Sequence, residues 1–141
     1  SWVKTSGSKG FHIVVPLASK TEFGLASRFS QAVADVLIRR DPDHLTQEFS
    51  KADRGDRILV DVGRNRPSAT FAAVYAVRSK AGAPVSAPCT WAEIERGAVG
   101  PRSFVLRTMA ERLTDVGDLW SGLHERGQSL RGPLDTLRQG R

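Results

Sequence analysis

The run Phe-His-Ile-Val-Val-Pro-Leu at 11–17 stands directly behind the turn Ser-Gly-Ser-Lys-Gly at 6–10. This pairing constrains the fold more than any other feature of the chain. An almost unbroken apolar and β-branched run reads as a buried strand. The small residues ahead of it read as a flexible turn, and the residues 2–5 before the turn read as a short strand. Together they predict a hairpin whose loop carries one lysine, Lys9.

The next segment predicts a helix over 20–40. Ser19 and Glu22 have the spacing of a capping box. Phe23, Ala26, Phe29, Ala32, Val33, Val36 and Leu37 fall on one helical face, and Arg39 and Arg40 suit the negative end of the dipole. Pro42 stops the helix, and Asp41-Pro42-Asp43 reads as a turn and not a metal site. Residues 45–50 carry no decisive pattern. A charged turn follows at 51–57, then a strand at 58–62 (ILVDV), a loop at 63–68 and another strand at 70–77. Thr90 and Glu93 predict a capped helix over 90–96. Residues 103–107 read as a strand and 108–113 as a helical turn. Gly122, Gly127, Gly132 and Pro133 interrupt any single helix in the tail. The expected architecture is a mixed α/β sandwich in which strands 2–5, 11–17, 58–62 and 69–77 share one sheet with helix 20–40 packed on it.

Composition bounds the function. With 141 residues, 40% of them hydrophobic, the chain has the material for one domain with a core. Its single cysteine, Cys89, excludes an internal disulfide framework, and no Cys/His spacing fits zinc. Cys89 has no activating neighbour in sequence and reads as structural. No apolar run reaches the length of a membrane span. No charged-then-apolar leader opens the chain, which predicts a protein that is not exported. The start at Ser1, without Met and already inside a strand, reads as a fragment. Lys+Arg number 21 against 15 Asp+Glu, a net charge of +6, which favours phosphate-bearing partners and also suits a merely solvated basic surface.

Three groups of residues can carry chemistry. Asp61 is an acid in an apolar strand, and an ionised carboxylate there needs a partner, a metal or an open face. It reads either as a ligand or as a solvent-facing partner of Arg57 or Arg64. The second group is the hairpin loop. Glycines at 7 and 10 allow a ligand to approach the backbone, Lys9 offers a point charge, and His12 can donate to a phosphate oxygen. The spacing is not that of a Walker loop, and a plain turn beside a core histidine reads equally well. The third group is the basic set Lys51, Arg54, Arg57, Arg64, Arg66, Arg78 and Lys80, which brackets Asp61 in sequence. It fits a metal–triphosphate site or a surface salt-bridge network. Trp2, Phe11, Phe71, Tyr75, Trp91 and Trp120 read as core residues, and His44 and His124 as superficial ones.

In order along the chain, VKTSGSKGFHIVVPL (3–17), SKADRGDRILVD (50–61) and GRNRPSATFAAVYAVRSKAGAPVSAPCTW (63–91) resemble the polymerase domain of bacterial DNA ligase D, of the archaeo-eukaryotic primase superfamily. The resemblance runs from residue 2 to about 120, which makes 1–120 a partial primase-polymerase domain and 121–141 a helical or irregular tail. It implies a template-directed nucleotidyltransferase that extends or fills DNA ends in non-homologous end joining, using divalent manganese or magnesium. By position, Asp61 is similar to the family's third metal-binding carboxylate, and so to a catalytic residue. Ser6 and His12 match residues that hold the nucleotide's phosphates, with Lys9 in the same loop. Arg64 and Arg78 match basic residues near the nucleotide, accompanied by Asn65. Lys51, Arg54, Arg57 and Lys80 read as nucleic-acid contacts. The implied partners are a nucleoside triphosphate, DNA ends, a ligase domain and a Ku-like end-binding protein, in the bacterial cytoplasm or nucleoid and with no membrane.

The sequence also departs from the family. The D-x-D motif expected upstream of the hairpin and the region that grips a 5′-phosphate are not in this sequence. Lys80 stands where Arg is common, and Val62-Gly63 replace a bulkier pair. The reading therefore expects the family chemistry to be lost or weak in this chain. The alternative is a non-catalytic nucleotide- or DNA-binding module. It also expects a bare sheet edge and self-association, and it requires Asp61 and His12 to face one cleft.

Overall fold

The computed structural model describes residues 1–139. In chain order its elements are β1 (Trp2–Thr5), β2 (Phe11–Val14), α1 (Phe23–Arg40), β3 (Leu45–Thr46), α2 (Lys51–Arg54), β4 (Ile58–Leu59), β5 (Ala76–Val77), β6 (Val85–Ser86), β7 (Pro88–Cys89), α3 (Trp91–Glu95), α4 (Met109–Val116) and α5 (Arg131–Gln139). Single 3-10 turns lie at Leu106–Thr108 and Leu123–Arg126. The class is mixed α/β, as expected. The chain divides into two compact units. The first is Ser1–Pro16 with Ala72–Gly127, and the second is Leu17–Phe71 with the chain from Gln128 onward.

The first unit is built on the expected hairpin, but its second strand ends at Val14 and is a half-buried edge strand with Ile13 exposed, not a buried strand over 11–17. β1 pairs antiparallel with β2, Thr5 opposite Phe11 and Lys4 opposite His12. On its other side β1 pairs antiparallel with β7, giving the order β2-β1-β7. β5 and β6 form a separate antiparallel pair. The core gathers Val3, Val85, Ala87, Cys89, Val99, Phe104 and Met109, with Phe11, Tyr75 and Ile94 packed against it. Fully burying an aliphatic side chain such as Val3 or Val85 contributes about 1.5–3 kcal/mol. The Thr90–Glu93 box forms as its spacing predicts. The Glu93 amide donates to Thr90 Oγ1, and the Thr90 amide donates to Glu93.

In the second unit α1 packs against α5 and β3, with Ala34, Leu130 and Leu134 buried. β3 and β4 run parallel, Leu45 opposite Ile58 and Thr46 opposite Leu59.

Several expectations need correction. The four strands do not share one sheet. Residues 2–5 and 11–14 belong to one, 58–59 to a second and 76–77 to a third. α1 starts at Phe23 with Glu22 as N-cap and no side-chain cap bond, so Ser19 lies too far upstream to close a box. Between them Lys20 takes a left-handed φ of 67°. The run 70–77 is a strand only at its end, because Tyr75 is also left-handed, φ 61°, and a turn joins Ala73 to Ala76. The 103–107 segment contributes only a bridge, Val105 to Pro84. Phe71 and Trp91 are exposed and not core.

Gly132 and Pro133 do not interrupt the tail helix. They occupy the first turn of α5, where backbone N–H groups have no intrahelical acceptor and proline loses nothing.

Candidate nucleotide and nucleic-acid site

The hairpin loop is closed by its own serine. The Ser6 amide donates to the Gly10 carbonyl at 2.9 Å. Ser6 Oγ accepts the amides of Ser8 and Gly10, each at 3.1 Å. Three of the loop's N–H groups are thus satisfied inside the turn, and the hydroxyl keeps its own proton as a donor. Gly7 is buried with a φ of +62°. A Cβ there would lie 2.6 Å from Arg78 Cγ and 3.2 Å from the Val85 carbonyl carbon. The bend and the close approach both demand glycine. The Arg78 stem thereby lies against the loop, and its amide is held by the Pro84 carbonyl at 2.7 Å.

One central residue of this site was missed by sequence reasoning. Lys4 is fully buried. Its Nζ donates to His12 Nδ1 at 2.8 Å, to the Ala72 carbonyl at 2.8 Å, and to Ser86 Oγ. Ser86 Oγ passes its own proton to the Thr5 carbonyl at 2.8 Å. Burial, with a smaller contribution from the Arg78 guanidinium, pushes the Lys4 ammonium down to about 8. The signal that would have revealed it is register: a five-residue loop closed by Thr5 and Phe11 sets Lys4 opposite His12.

Beside the loop, Arg102 Nε donates to the Ser8 carbonyl at 2.9 Å. Ser8, Lys9, Gly100, Pro101, Arg102 and Ser103 line an open groove of about 670 Å³. Lys9 is exposed there. Lys80 is exposed in the turn between β5 and β6, and Arg78 is half-buried at the start of that turn.

The remaining site residues named from sequence lie in the second unit. Asp61 is not inside a strand. β4 ends at Leu59, and Asp61 is exposed beyond it, with Oδ1 accepting the Gly63 amide at 3.0 Å. The carboxylate is therefore relieved by solvent and a turn amide. Asp61 forms no salt bridge with Arg57 or Arg64 at a charged-pair distance among the described residues. Nor does it share the sheet of His12.

Arg64 is exposed, and Asn65 closes the same turn, its Nδ2 donating to the Val62 carbonyl at 3.1 Å. The expected charged turn at 51–57 begins as α2. Arg57 folds back over its end, donating to the carbonyls of Arg54 and Asp53, both at 3.0 Å. Lys51 is exposed and Arg54 half-buried on α2.

Among the described residues no three His, Cys, Asp or Glu side chains gather as a metal site. Asp61 is the carboxylate of this sequence that the resemblance assigns to metal, and a pair of divalent ions would need further shared carboxylates beside it.

A protein-family model described as "LigD, primase-polymerase domain" matches residues 1–120. The chain belongs to the LigD primase-polymerase family. It is 32% identical over 123 residues to the multifunctional non-homologous end joining protein LigD of Pseudomonas aeruginosa, covering 86% of this chain and 14% of that protein. To the LigD of Mycolicibacterium smegmatis it is 34% identical over 119 residues, 84% of this chain and 15% of that one. The chain thus spans about a seventh of the length of these curated relatives. Among solved structures it matches the polymerase domain of Mycobacterium tuberculosis ligase D in complex with DNA. The TM-score is 0.80 and the identity 31%, over 90% of this chain and 44% of that one. The mixed α/β architecture is that of the LigD polymerase domain, and the hairpin of β1 and β2 lies within the matched region.

Proposed function

We propose that this LigD-family chain supplies the triphosphate-holding part of a nucleotidyltransferase that processes DNA ends in non-homologous end joining. The hairpin carries the reading. Ser6 and Lys9 lie in the loop, His12 follows on β2 and Arg78 packs on the loop's glycine, which together offer a small cationic and hydroxylic set suited to phosphate oxygens. His12 and Ser6 donate to the phosphates, while Lys9 and Arg78 supply charge. In the second unit Lys51, Arg54, Arg57, Arg64 and Asn65, and in the first Lys80, are the proposed contacts to nucleic acid or nucleotide. The DNA held by the solved relative supports that class of partner. Ku-like and ligase-domain partners follow from the same reading, which places the work in the bacterial nucleoid.

Titration of ATP in chelator tests it. His12→Ala should weaken binding by about tenfold, the loss of one hydrogen bond to a charged group. Equal affinity for the two proteins removes the phosphate role.

A second reading, a non-catalytic nucleotide- or DNA-binding module, is favoured by the exposed, isolated position of Asp61. Manganese-dependent primer extension separates the two. Extension abolished by Asp61→Ala supports the enzyme. Nucleotide binding without any extension supports the module.

A further inference from the structure

We propose that Lys4 is a positioning residue that holds the His12 ring as its Nε2–H tautomer, so that the imidazole meets a triphosphate as a hydrogen-bond donor. The inference rests on the phosphate reading of His12 and adds to it the residue that fixes the state of the ring.

The argument is a count of donors. A lysine ammonium has three N–H donors and no acceptor. All three are matched to partners: the Ala72 carbonyl, Ser86 Oγ and His12 Nδ1. A carbonyl oxygen can only accept. Ser86 Oγ accepts from Lys4 because its own proton is given to the Thr5 carbonyl. His12 Nδ1 must then accept as well, which leaves the ring proton on Nε2. A proton on Nδ1 would point at an ammonium, in a fully buried position where such an opposition is not screened.

The arrangement is rigid. Lys4 and His12 are directly opposed in the β1–β2 ladder. The Lys4 amine is also tied across to β6 through Ser86 and to the segment before β5 through Ala72. A surface lysine would lose much side-chain freedom in such a pose. Here burial has already fixed it, as expected for a group that orients another.

Three measurements test the proposal. First, His44→Gln and His124→Gln leave His12 as the one histidine in an isotopically labelled chain. Two-bond proton–nitrogen spectra at neutral pH should show Nδ1 as the unprotonated, pyridine-like nitrogen and Nε2 as the protonated one. An Nδ1–H tautomer or a doubly protonated ring overturns the inference, and this measurement needs no variant of Lys4.

Second, ATP is titrated in chelator against His12→Gln and His12→Asn. The glutamine amide can reach the Nε2 position and the asparagine amide only the Nδ1 position. Gln should stay within about threefold of wild type, while Asn loses about tenfold. The reverse order overturns the inference.

Third, Lys4→Met should lose the tautomer preference and bind ATP about tenfold more weakly. Unchanged ATP affinity in a folded Lys4→Met overturns the role of Lys4 even where His12→Ala still weakens binding. Unchanged affinity in His12→Ala instead removes the phosphate reading, while the nitrogen spectra still decide the tautomer.

Discussion

Gly7 ties two requirements to a single missing methyl group. Its φ of +62° belongs to the left-handed region, and Arg78 Cγ occupies the space a Cβ would take. Gly7→Ala pays the left-handed penalty of roughly 1–2 kcal/mol. Arg78 Cγ lies next to its own tied backbone, and the Val85 and Ser86 backbone stands 3.2 and 3.3 Å from the same point, so the loop as well as Arg78 must shift. Urea denaturation should show a loss larger than the roughly 1–2 kcal/mol of the backbone penalty alone, together with weaker ATP binding. A fully stable variant with unchanged affinity would separate Arg78 from the site.

Lys4 makes a pH prediction at the same scale. The groups facing its amine include the His12 ring, the Arg78 guanidinium, the Ser86 hydroxyl and the Ala72 carbonyl. As pH rises through about 8 the amine gives up one donor and gains a lone pair, so Nδ1 is no longer obliged to accept, and ATP binding should weaken. Stability moves the other way. An unfolded lysine titrates near about 10.4. Between the folded and unfolded values the unfolded chain holds the extra proton, and the native state gains as pH rises. Denaturation at about pH 7 and about pH 9.5 checks the sign in wild type, with Lys4→Met lacking the difference.

Among the elements, α3 and α4 are joined by one pair. Arg112 donates to both carboxylate oxygens of Glu93, at 2.9 and 3.0 Å, and to the Pro88 carbonyl at 3.2 Å. Its guanidinium lies 4.0 Å from the centroid of Phe104. These hydrogen bonds from Arg112, ahead of those from Thr90, hold the Glu93 carboxyl below its usual range. The sign follows directly. The pair's contribution is complete above the unfolded glutamate value, about 4.3, and is lost as pH falls through the lower folded value. Arg112→Met should cost about 1–2 kcal/mol, since it removes the charge-assisted bonds and leaves the half-buried Glu93 carboxylate only its Thr90 partners. It should also flatten the acid limb of the stability profile, and an unaltered acid limb would assign that limb to other carboxylates.

This level also separates what was legible from what was not. The α3 box is local chemistry over four residues, and the sequence displays it directly. The hairpin is equally local, and with it the loop residues of the candidate site. The start of α1 was misplaced because a box spacing occurs by chance three residues before the true N-cap. α5 was hidden because proline and glycine read as breakers unless the first turn is already known. Lys4 escaped because a charged residue in a strand reads as solvated, and only the cross-strand register shows its partner. Alternation marks a strand and does not say which strand it pairs with, so 58–62 and 70–77 were assigned to a sheet they do not join.

For the whole molecule, the chain leaves the first unit after Pro16, returns at Ala72 and leaves again after Gly127. No helix among the described residues is long and apolar enough to cross a membrane. Phe49 is 79% exposed, Ile58 65% and Ile13 62%, the last on β2 at the edge of its sheet. Uncovered apolar side chains and an unpaired strand edge promote association. Sedimentation at rising concentration should reveal species larger than the monomer, reduced by Phe49→Ser and Ile13→Thr. A monomer throughout would dismiss the idea.

Cys89, the one cysteine of the chain, lies on β7 at 5% exposure. Burial, helped by the Glu93 carboxylate, pushes its thiol up to about 11. Since the thiolate is the reactive form, a sulfhydryl reagent has to wait until β7 parts from β1. The protein thus carries its own stopwatch. The rate at which Ellman's reagent colours the native sample times the opening of the strand beside Lys4, without an engineered dye. Colour appearing as fast as with a short peptide would mean that this strand is ajar from the outset.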